Sequence, residues 1–296
     1  MATYSLKNAG VARKHALQRS LVIALAILAA LGLTWYGLTL AWNWVTSLED
    51  FRVYPGRLAL QPVPWLNIDA LKADMRRTDY TGLLGHSCSI FTPRLTDQVA
   101  AAYGASPWVR RVVAVNRRFP DKLEISLEIR RPFAIVVCGK GRYLVDRDGM
   151  ILAPELYRLP KDGLGRPDIV LAYAPESLPQ RGHTWNSEGV MAGIDMLAFL
   201  GENATLNGLK ILGLQVQRDT MMLGRAPVCV VLKTDSGAEV RWGLPPRAIQ
   251  AGTSEVSTRA KLDALACIVR QHRSQLARLE YIDIRWDRPT LRLKAR

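Results

Sequence analysis

The chain has 296 residues, a length sufficient for about two domains of ordinary size. Hydrophobic residues make up 49% of it, which excludes a chain that is disordered throughout, because that content supplies enough apolar surface for a core. The formal net charge of +14 first suggests nucleic acid or an anionic membrane as a partner.

The N-terminal segment predicts a membrane anchor. Residues 1–20 form a short polar tail with basic but no acidic side chains, and residues 21–48 contain no charged side chain. A run of this length exceeds the roughly 20 apolar residues that cross a bilayer core. A cleaved signal peptide is the alternative, but its apolar segment of about 7–15 residues would be much shorter.

The charges beside this run predict its orientation. Basic residues precede it, whereas Glu49 and Asp50 follow it, so the positive-inside rule keeps the N-terminus in the cytoplasm. We therefore expect a single-pass protein of the inner (plasma) membrane with extracytoplasmic, periplasmic C-terminal domains. Nucleic acid is then not an expected partner, and an anionic leaflet or an acidic protein is the more natural counter-charge.

Residues 51–131 predict the element order β-α-α-β-β. The first helix covers residues 67–77 and is capped by Asn67 or Asp69. The second is expected to have Thr92 as its cap and Pro93 as its first residue, and to stop at Gly104.

The two strands of this region meet at a turn formed by Phe119, Pro120 and Asp121. Residues 123–130 alternate strictly between apolar and polar side chains, which is typical of a strand with one buried and one solvated face. The arginines of this stretch therefore need no ligand, because a solvated sheet face accounts for them.

The second half predicts a mixed sheet with helices, and the whole chain an α+β fold. After a hairpin that turns at residues 139–141, residues 153–185 are rich in proline and glycine and are interpreted as a long surface connection. A helix ending at Gly201, three strands, a helix over about residues 257–276 and two short strands complete the chain.

No catalytic, cofactor-binding or metal-binding motif occurs in the sequence. His86 and Cys88 alone do not close a zinc site, and no nucleophile elbow, Walker loop or dinucleotide fingerprint is found. We expect a non-enzymatic protein without catalytic residues, cofactor, metal or small-molecule substrate. The 4 cysteines lack CxxC spacing and leave one or two disulfides possible.

Four segments follow the anchor in a recognisable order: "SPWVRRVVAVNRRFPDKLEISLEIRRPFAIV", "YLVDRDGMIL", "GAEVRWG" and "YIDIRWDRPTLRL". Together they resemble the bacterial cell-division family FtsQ/DivIB, whose members carry a POTRA domain after a single anchor. Two departures from the family pattern are Arg130, where the family has Glu, and the segment "VYPGRLALQ", which fits its first POTRA strand poorly.

The resemblance implies a domain organisation and a role. The expected parts are a cytoplasmic tail (1–20), a transmembrane helix (21–48), a POTRA domain (49–131) and an FtsQ-type β domain (132–296) with a C-terminal edge strand. The implied function is a non-enzymatic scaffold of the divisome, the septum-building assembly at the division site. The implied partners are FtsB-like and FtsL-like coiled-coil proteins.

The resemblance also implies a partner-binding site at the end of the chain. Arg and Trp often dominate interface energy, and an arginine forks onto a carboxylate. The alternative is that Trp286 packs on the long helix and Arg285 pairs with Asp283 or Asp287. The implied site consists of Tyr281, Asp283, Arg285, Trp286, Thr290, Leu291, Arg292 and Leu293.

Two other functions compete with this interpretation. A POTRA-type chaperone or translocation component that binds extended polypeptides is one, although such proteins usually carry several POTRA modules or a barrel. A membrane-tethered hydrolase is the other, and it would need a polar cluster in a cleft.

Overall fold

The fold is α+β, as the sequence predicts. It was obtained as a computed structural model that describes residues 3–57, 64–77, 79, 82–160, 163–174, 180–201, 204–218, 227–249 and 255–294. The α-helices in these ranges are α1 (Thr3–Ser47), α2 (Ile68–Arg77), α3 (Leu95–Gly104), α4 (Glu188–Leu200) and α5 (Thr258–Gln271).

The strands are mostly short and lie C-terminal to α1. They are β1 (Arg52–Val53), β2 (Cys88–Ser89), β3 (Val109–Arg118), β4 (Lys122–Ile129), β5 (Ala134–Cys138), β6 (Gly141–Val145), β7 (Ile151–Leu152), β8 (Asp168–Leu171), β9 (Thr205–Leu206), β10 (Leu209–Arg218), β11 (Val228–Thr234), β12 (Glu239–Gly243), β13 (Leu279–Asp283) and β14 (Thr290–Leu293).

Helix α1 contains the predicted anchor. Its segment Ile23–Ser47 has 25 residues and a mean hydropathy of 1.9, so it is long and apolar enough to cross a membrane. Helix α1 begins at Thr3, so the polar tail continues the same helix. Residues 3–20 contain no proline and many helix-forming residues, which is compatible with that continuity.

Chain contacts divide the protein into two compact units. The first consists of Met1–Arg57, Thr81–Ala102 and Ala114–Ser126. In it, β1 pairs with β2 in antiparallel fashion, and Val53, Ile90 and other apolar side chains are buried. Along the chain, the predicted β-α-α-β-β order is observed with β2 as an additional short strand. Strands β3 and β4 form a separate two-stranded sheet, and α2 and parts of these two strands belong to the second unit.

The second unit consists of Leu58–Tyr80, Tyr103–Val113 and Leu127–Arg296 and contains the main sheet. The strand order is β14-β13-β12-β11-β10-β8-β5-β6-β7, and β9 pairs with β10. Three pairs of neighbouring strands are parallel: β8 with β10, β12 with β13, and β5 with β8. Helix α4 connects the first pair and helix α5 the second.

Both connecting helices cover one face of this sheet. The Phe199 ring of α4 lies 5.5 Å from the Trp242 ring of β12, and the Lys261 ammonium of α5 lies 5.5 Å from the same ring. Side chains of both helices therefore share one core cluster with the inward-facing residues of the strands. On the opposite face, alternate residues of β10 and β12 such as Gln215 and Arg241 are half-buried, as period-2 alternation requires.

The prediction for residues 153–185 is wrong. The strand β8 lies inside this segment, between β5 and β10 near the middle of the sheet. Its inward side chains Ile169 and Leu171 are buried. Strand β8 has only four residues and lies between stretches dense in proline and glycine, so the local sequence pattern does not indicate a strand. It forms because it pairs with β5 and β10, which are distant in sequence.

The start of α3 also differs from the prediction. Arg94 adopts a φ of 54°, and Leu95 N donates to Thr92 O at 3.2 Å, so a turn precedes the helix. The Thr92 hydroxyl donates to Ser89 O instead of capping α3. For α2, by contrast, the predicted cap is confirmed, because Asn67 Oδ1 accepts a hydrogen bond from Ala70 N at 3.3 Å.

Replacing Gly193 tests how closely α4 packs on β8. A Cβ at Gly193 would lie 2.5 Å from Ile169 Cγ2, so Gly193→Ala is expected to lower the free energy of unfolding. The expected loss is about 1–3 kcal/mol, the usual cost of overpacking, whereas an open helix would gain about 1 kcal/mol from the same change. Denaturant unfolding of the detergent-solubilised chain measures it.

The control for this prediction is Ala198→Gly, the reverse exchange at an exposed position of the same helix. It should cost only the helix-propensity difference of about 1 kcal/mol. A gain in stability for Gly193→Ala would contradict the close packing of α4 on β8.

Candidate functional site

The C-terminal strand β14 forms one edge of the main sheet. It pairs only with β13, in antiparallel register, with Ile282 opposite Leu291 and Asp283 opposite Thr290. Lys294 N donates to Arg278 O at 2.9 Å, which fixes the side of β14 that faces β13. Because backbone groups alternate along a strand, those of Leu291 and Leu293 point away from the sheet.

The other edge of the sheet is covered by its own chain. Ile151 N of β7 donates to His183 O at 3.1 Å, and Gly182 N donates to Ile151 O at 2.9 Å. Both residues of β7 are buried. Among the strands that the structure describes, β14 is therefore the edge of the main sheet whose outward groups face solvent, and such an edge is a template for another strand.

The side chains of β14 give this edge an apolar side. Leu291 and Leu293 are 38% and 57% exposed, and they lie on the sheet face of the fully buried Ile282. They continue the sheet face on which Ile282 is buried. Thr290 and Arg292 lie on the other face and are exposed, and Arg292 pairs with Glu280 at 3.1 Å.

Tyr281 is held on the outer face of the sheet by a cation–π contact. The Arg241 guanidinium lies 3.7 Å from the centre of its ring. Tyr281 is half-buried, so its side chain is available for packing only in part. The arrangement presents a planar aromatic–guanidinium pair one strand inside the edge.

Asp283 is buried at the end of β13 and forms an ion pair with the partly exposed Arg285. Arg285 Nη2 donates to Asp283 Oδ2 at 2.7 Å and Nε donates to Oδ1 at 3.0 Å, while the Arg285 side chain is only 15% exposed. Of the alternatives for Arg285, pairing with Asp283 is the one the structure contains. The pair fixes the turn that leads to Trp286, whose side chain is 36% exposed and lies 5.4 Å from the guanidinium.

A second ion pair, between Lys261 and Glu255, is buried next to this turn. Lys261 of α5 donates to Glu255 Oε2 at 2.5 Å and to Trp242 O at 2.7 Å. Glu255 also accepts from Leu244 N at 2.9 Å, and the next residue in the chain, Val256, donates to Arg285 O at 3.0 Å. Burial lowers the pKa of Lys261, although the hydrogen bond and the charge of Glu255 oppose this shift.

Gly243 makes room for this ion pair. Its φ is +84°, and a Cβ there would lie 2.3 Å from the Glu255 carboxylate oxygens. A larger residue would therefore displace the carboxylate that holds Lys261.

The eight predicted site residues thus fall into two groups. Asp283 is buried and bonded to Arg285, which is mostly but not fully buried, and Tyr281 is half-buried. The exposed members are Trp286, Thr290, Leu291, Arg292 and Leu293.

The sequence analysis missed Lys261, Glu255 and Arg241. Lys261 lies four residues before Leu265 and seven before Ile268, on the helix face that is buried. A lysine at that spacing from apolar residues was the available signal for a buried charge. Neither the Glu255 pairing nor the Arg241–Tyr281 contact has a sequence signal, because both join separate elements.

Comparison with known proteins finds a similarity to a cell-division protein. The chain is 31% identical over 161 residues to the cell division protein FtsQ of Anaeromyxobacter sp. (strain K). The match covers 53% of this chain and 48% of that protein, so the chain spans about half the length of the curated relative it matches. Together with the N-terminal apolar helix, the similarity is consistent with the FtsQ/DivIB family. No family model matches the chain.

Removing one partner of the Lys261–Glu255 ion pair is expected to lower the free energy of unfolding. Lys261→Met leaves the Glu255 carboxylate buried without its cation, which should cost about 3–5 kcal/mol of unfolding free energy. The double variant Lys261→Met, Glu255→Gln removes both charges and should recover most of this loss, because glutamine still accepts from Leu244 N. Denaturant unfolding of the three proteins measures both effects, and equal stability of the two variants would contradict the pairing.

Proposed function

We propose that this protein is a non-enzymatic scaffold of bacterial cell division. The similarity to a protein named for cell division supports the division role, and the single apolar helix supports attachment to a membrane. In this proposal α1 crosses the inner membrane once with its basic N-terminal end in the cytoplasm, and the remainder is extracytoplasmic.

The domain organisation is part of the proposal. Residues 49–131 would act as the POTRA domain and residues 132–296 as the β domain that presents the partner site. The anchor would restrict the search for partners to the plane of the membrane.

The observation that carries the partner-binding proposal is the exposed edge of β14. An extended segment of a partner adds to this edge as a new strand, bonding to the outward backbone groups of Leu291 and Leu293. The leucine side chains, 38% and 57% exposed, supply apolar area to bury on binding. FtsB-like and FtsL-like coiled-coil proteins are the proposed partners.

The buried residues have a different role in this proposal. The Asp283–Arg285 pair orients the turn that carries Trp286, so these two residues position the site and Trp286 contacts the partner. Tyr281, held beneath Arg241, supports the outer face next to Arg292 of β14. Aromatic and arginine side chains are the types that most often dominate binding energy.

A proline at Leu291 tests strand addition directly. Leu291→Pro removes an outward N–H that β13 does not use, so the sheet should persist while one bond to an added strand is lost and the ring obstructs the partner. Affinity for the extracytoplasmic segments of the FtsB-like and FtsL-like proteins from the same cell should fall at least tenfold by biolayer interferometry.

The matched control is Leu291→Ala, which removes the side chain but keeps the N–H. It should weaken binding less than the proline variant. Equal affinity of the proline variant and the unchanged protein would refute strand addition at this edge.

The division role is tested in cells. A fluorescent protein fused to the N-terminus should concentrate in a band at mid-cell in dividing cells. A fusion that ends at Trp286, and so lacks β14, should lose co-purification of the coiled-coil partners. Uniform envelope fluorescence of the full-length fusion would contradict the division role.

A further inference from the structure

Four aromatic side chains make a continuous cluster in the first unit, beginning on the membrane-capable helix. The Phe91 ring lies 5.3 Å from the Trp42 ring, 5.2 Å from the Phe51 ring and 5.6 Å from the Phe119 ring. Trp42 belongs to α1, and Phe119 is at the tip of the β3–β4 hairpin. Residues 119–121, which join β3 to β4, are called the hairpin tip below.

The length of the apolar segment places this cluster at a membrane boundary. A hydrocarbon core about 30 Å thick requires roughly 20 helical residues. Counted from Ile23, where the apolar segment begins, that length ends at Trp42. Tryptophan rings favour the headgroup layer, which adds about 5–7 Å on each side of the core. Phe119 is only two ring contacts from Trp42, so the hairpin tip lies at or beside this layer.

The hairpin tip is exposed although it is partly aromatic. Phe119 remains 60% exposed despite its contact with Phe91, and Pro120 beside it is exposed as well. A large aromatic ring at the end of a hairpin is an unusual group to leave in water. At the boundary of a bilayer, however, it would be buried among lipid headgroups and the first methylenes.

The charges around the ring suit lipid phosphates. Arg118 and Lys122 flank the tip and are exposed. Arg118 pairs with Glu124 at 2.9 Å, whereas no carboxylate forms an ion pair with Lys122 among the residues that the structure describes. Asp121 is the acidic residue of the turn. Long basic side chains next to an apolar tip can place their charge at the phosphates while the ring enters the interface.

We propose that the hairpin tip is a second membrane contact of this protein, seated in the phospholipid interface beside the point where α1 leaves the bilayer. This inference depends on the proposal that α1 spans the membrane. The first unit would then be attached at two points, by α1 and by the hairpin tip. Its orientation relative to the bilayer would be fixed rather than free to swing.

Photo-crosslinking of the full chain in phosphatidylcholine nanodiscs tests this inference. The photoreactive residue p-benzoylphenylalanine replaces Phe119 in one protein and Ser126 in a control. Ser126 is an exposed residue on β4, seven residues away in sequence and about 13 Å along the strand from Lys122, where β4 begins. Mass spectrometry should find at least five times more lipid adduct at position 119 than at position 126.

One further measurement distinguishes failure of the second contact from failure of the anchor. Hydrogen exchange of Ile23–Ser47 in the same nanodiscs reports whether α1 is inserted. If α1 is protected and the adduct yields at positions 119 and 126 are equal, the second contact is overturned. If α1 exchanges freely, both the anchor and the second contact are overturned.

A charge variant tests the phosphate contact. In the protein with the photoreactive residue at position 119, Lys122→Glu should lower the adduct yield about two- to threefold, and Lys122→Arg should leave it unchanged. Equal yields for the two variants would overturn the role of Lys122 at the phosphates.

Discussion

The edge strands of a β-sheet have backbone N–H and C=O groups without a neighbouring strand. These groups must bond to another part of the chain, to solvent or to a partner. In this protein the β7 edge is bonded to the segment around Gly182 and His183. The β14 edge turns the backbone groups of Leu291 and Leu293 outward and places exposed leucine side chains beside them. This difference between the two edges is the physical basis of the proposed partner site.

Two ion pairs, one fully and one largely buried, hold the β14 edge in place. Lys261 and Glu255 join α5 to the loop before it and to β12, and that loop bonds to the backbone of Arg285. Asp283 then fixes the Arg285 side chain. Replacing buried ion pairs by apolar residues is often neutral for the free energy of unfolding, so we interpret these charges as fixing one conformation of the turn at Arg285. The two ion pairs connect Trp286 and β14 to the buried core of the second unit, so their positions depend on its packing.

Local sequence patterns predicted the elements whose signals are local. The strict alternation from Leu123 to Ile129 gave β4, and the asparagine at position 67 gave the cap of α2. Strand β8 was not predicted, because its stability comes from strands on both sides that are distant in sequence. Of the site, the chain-end location and residue types were predictable, but the burial of Lys261 and the contact of Arg241 with Tyr281 depend on tertiary packing.

Residue-resolved amide hydrogen exchange of β14, with and without the proposed FtsB-like partner, tests the central claim most directly. In the free protein the Arg292 amide should be protected by β13, while the amides of Leu291 and Leu293 exchange quickly. On binding, the account predicts strong protection of the two leucine amides and little change at Arg292. Unchanged exchange at Leu291 and Leu293 in the saturated complex would show that the partner does not add a strand to this edge.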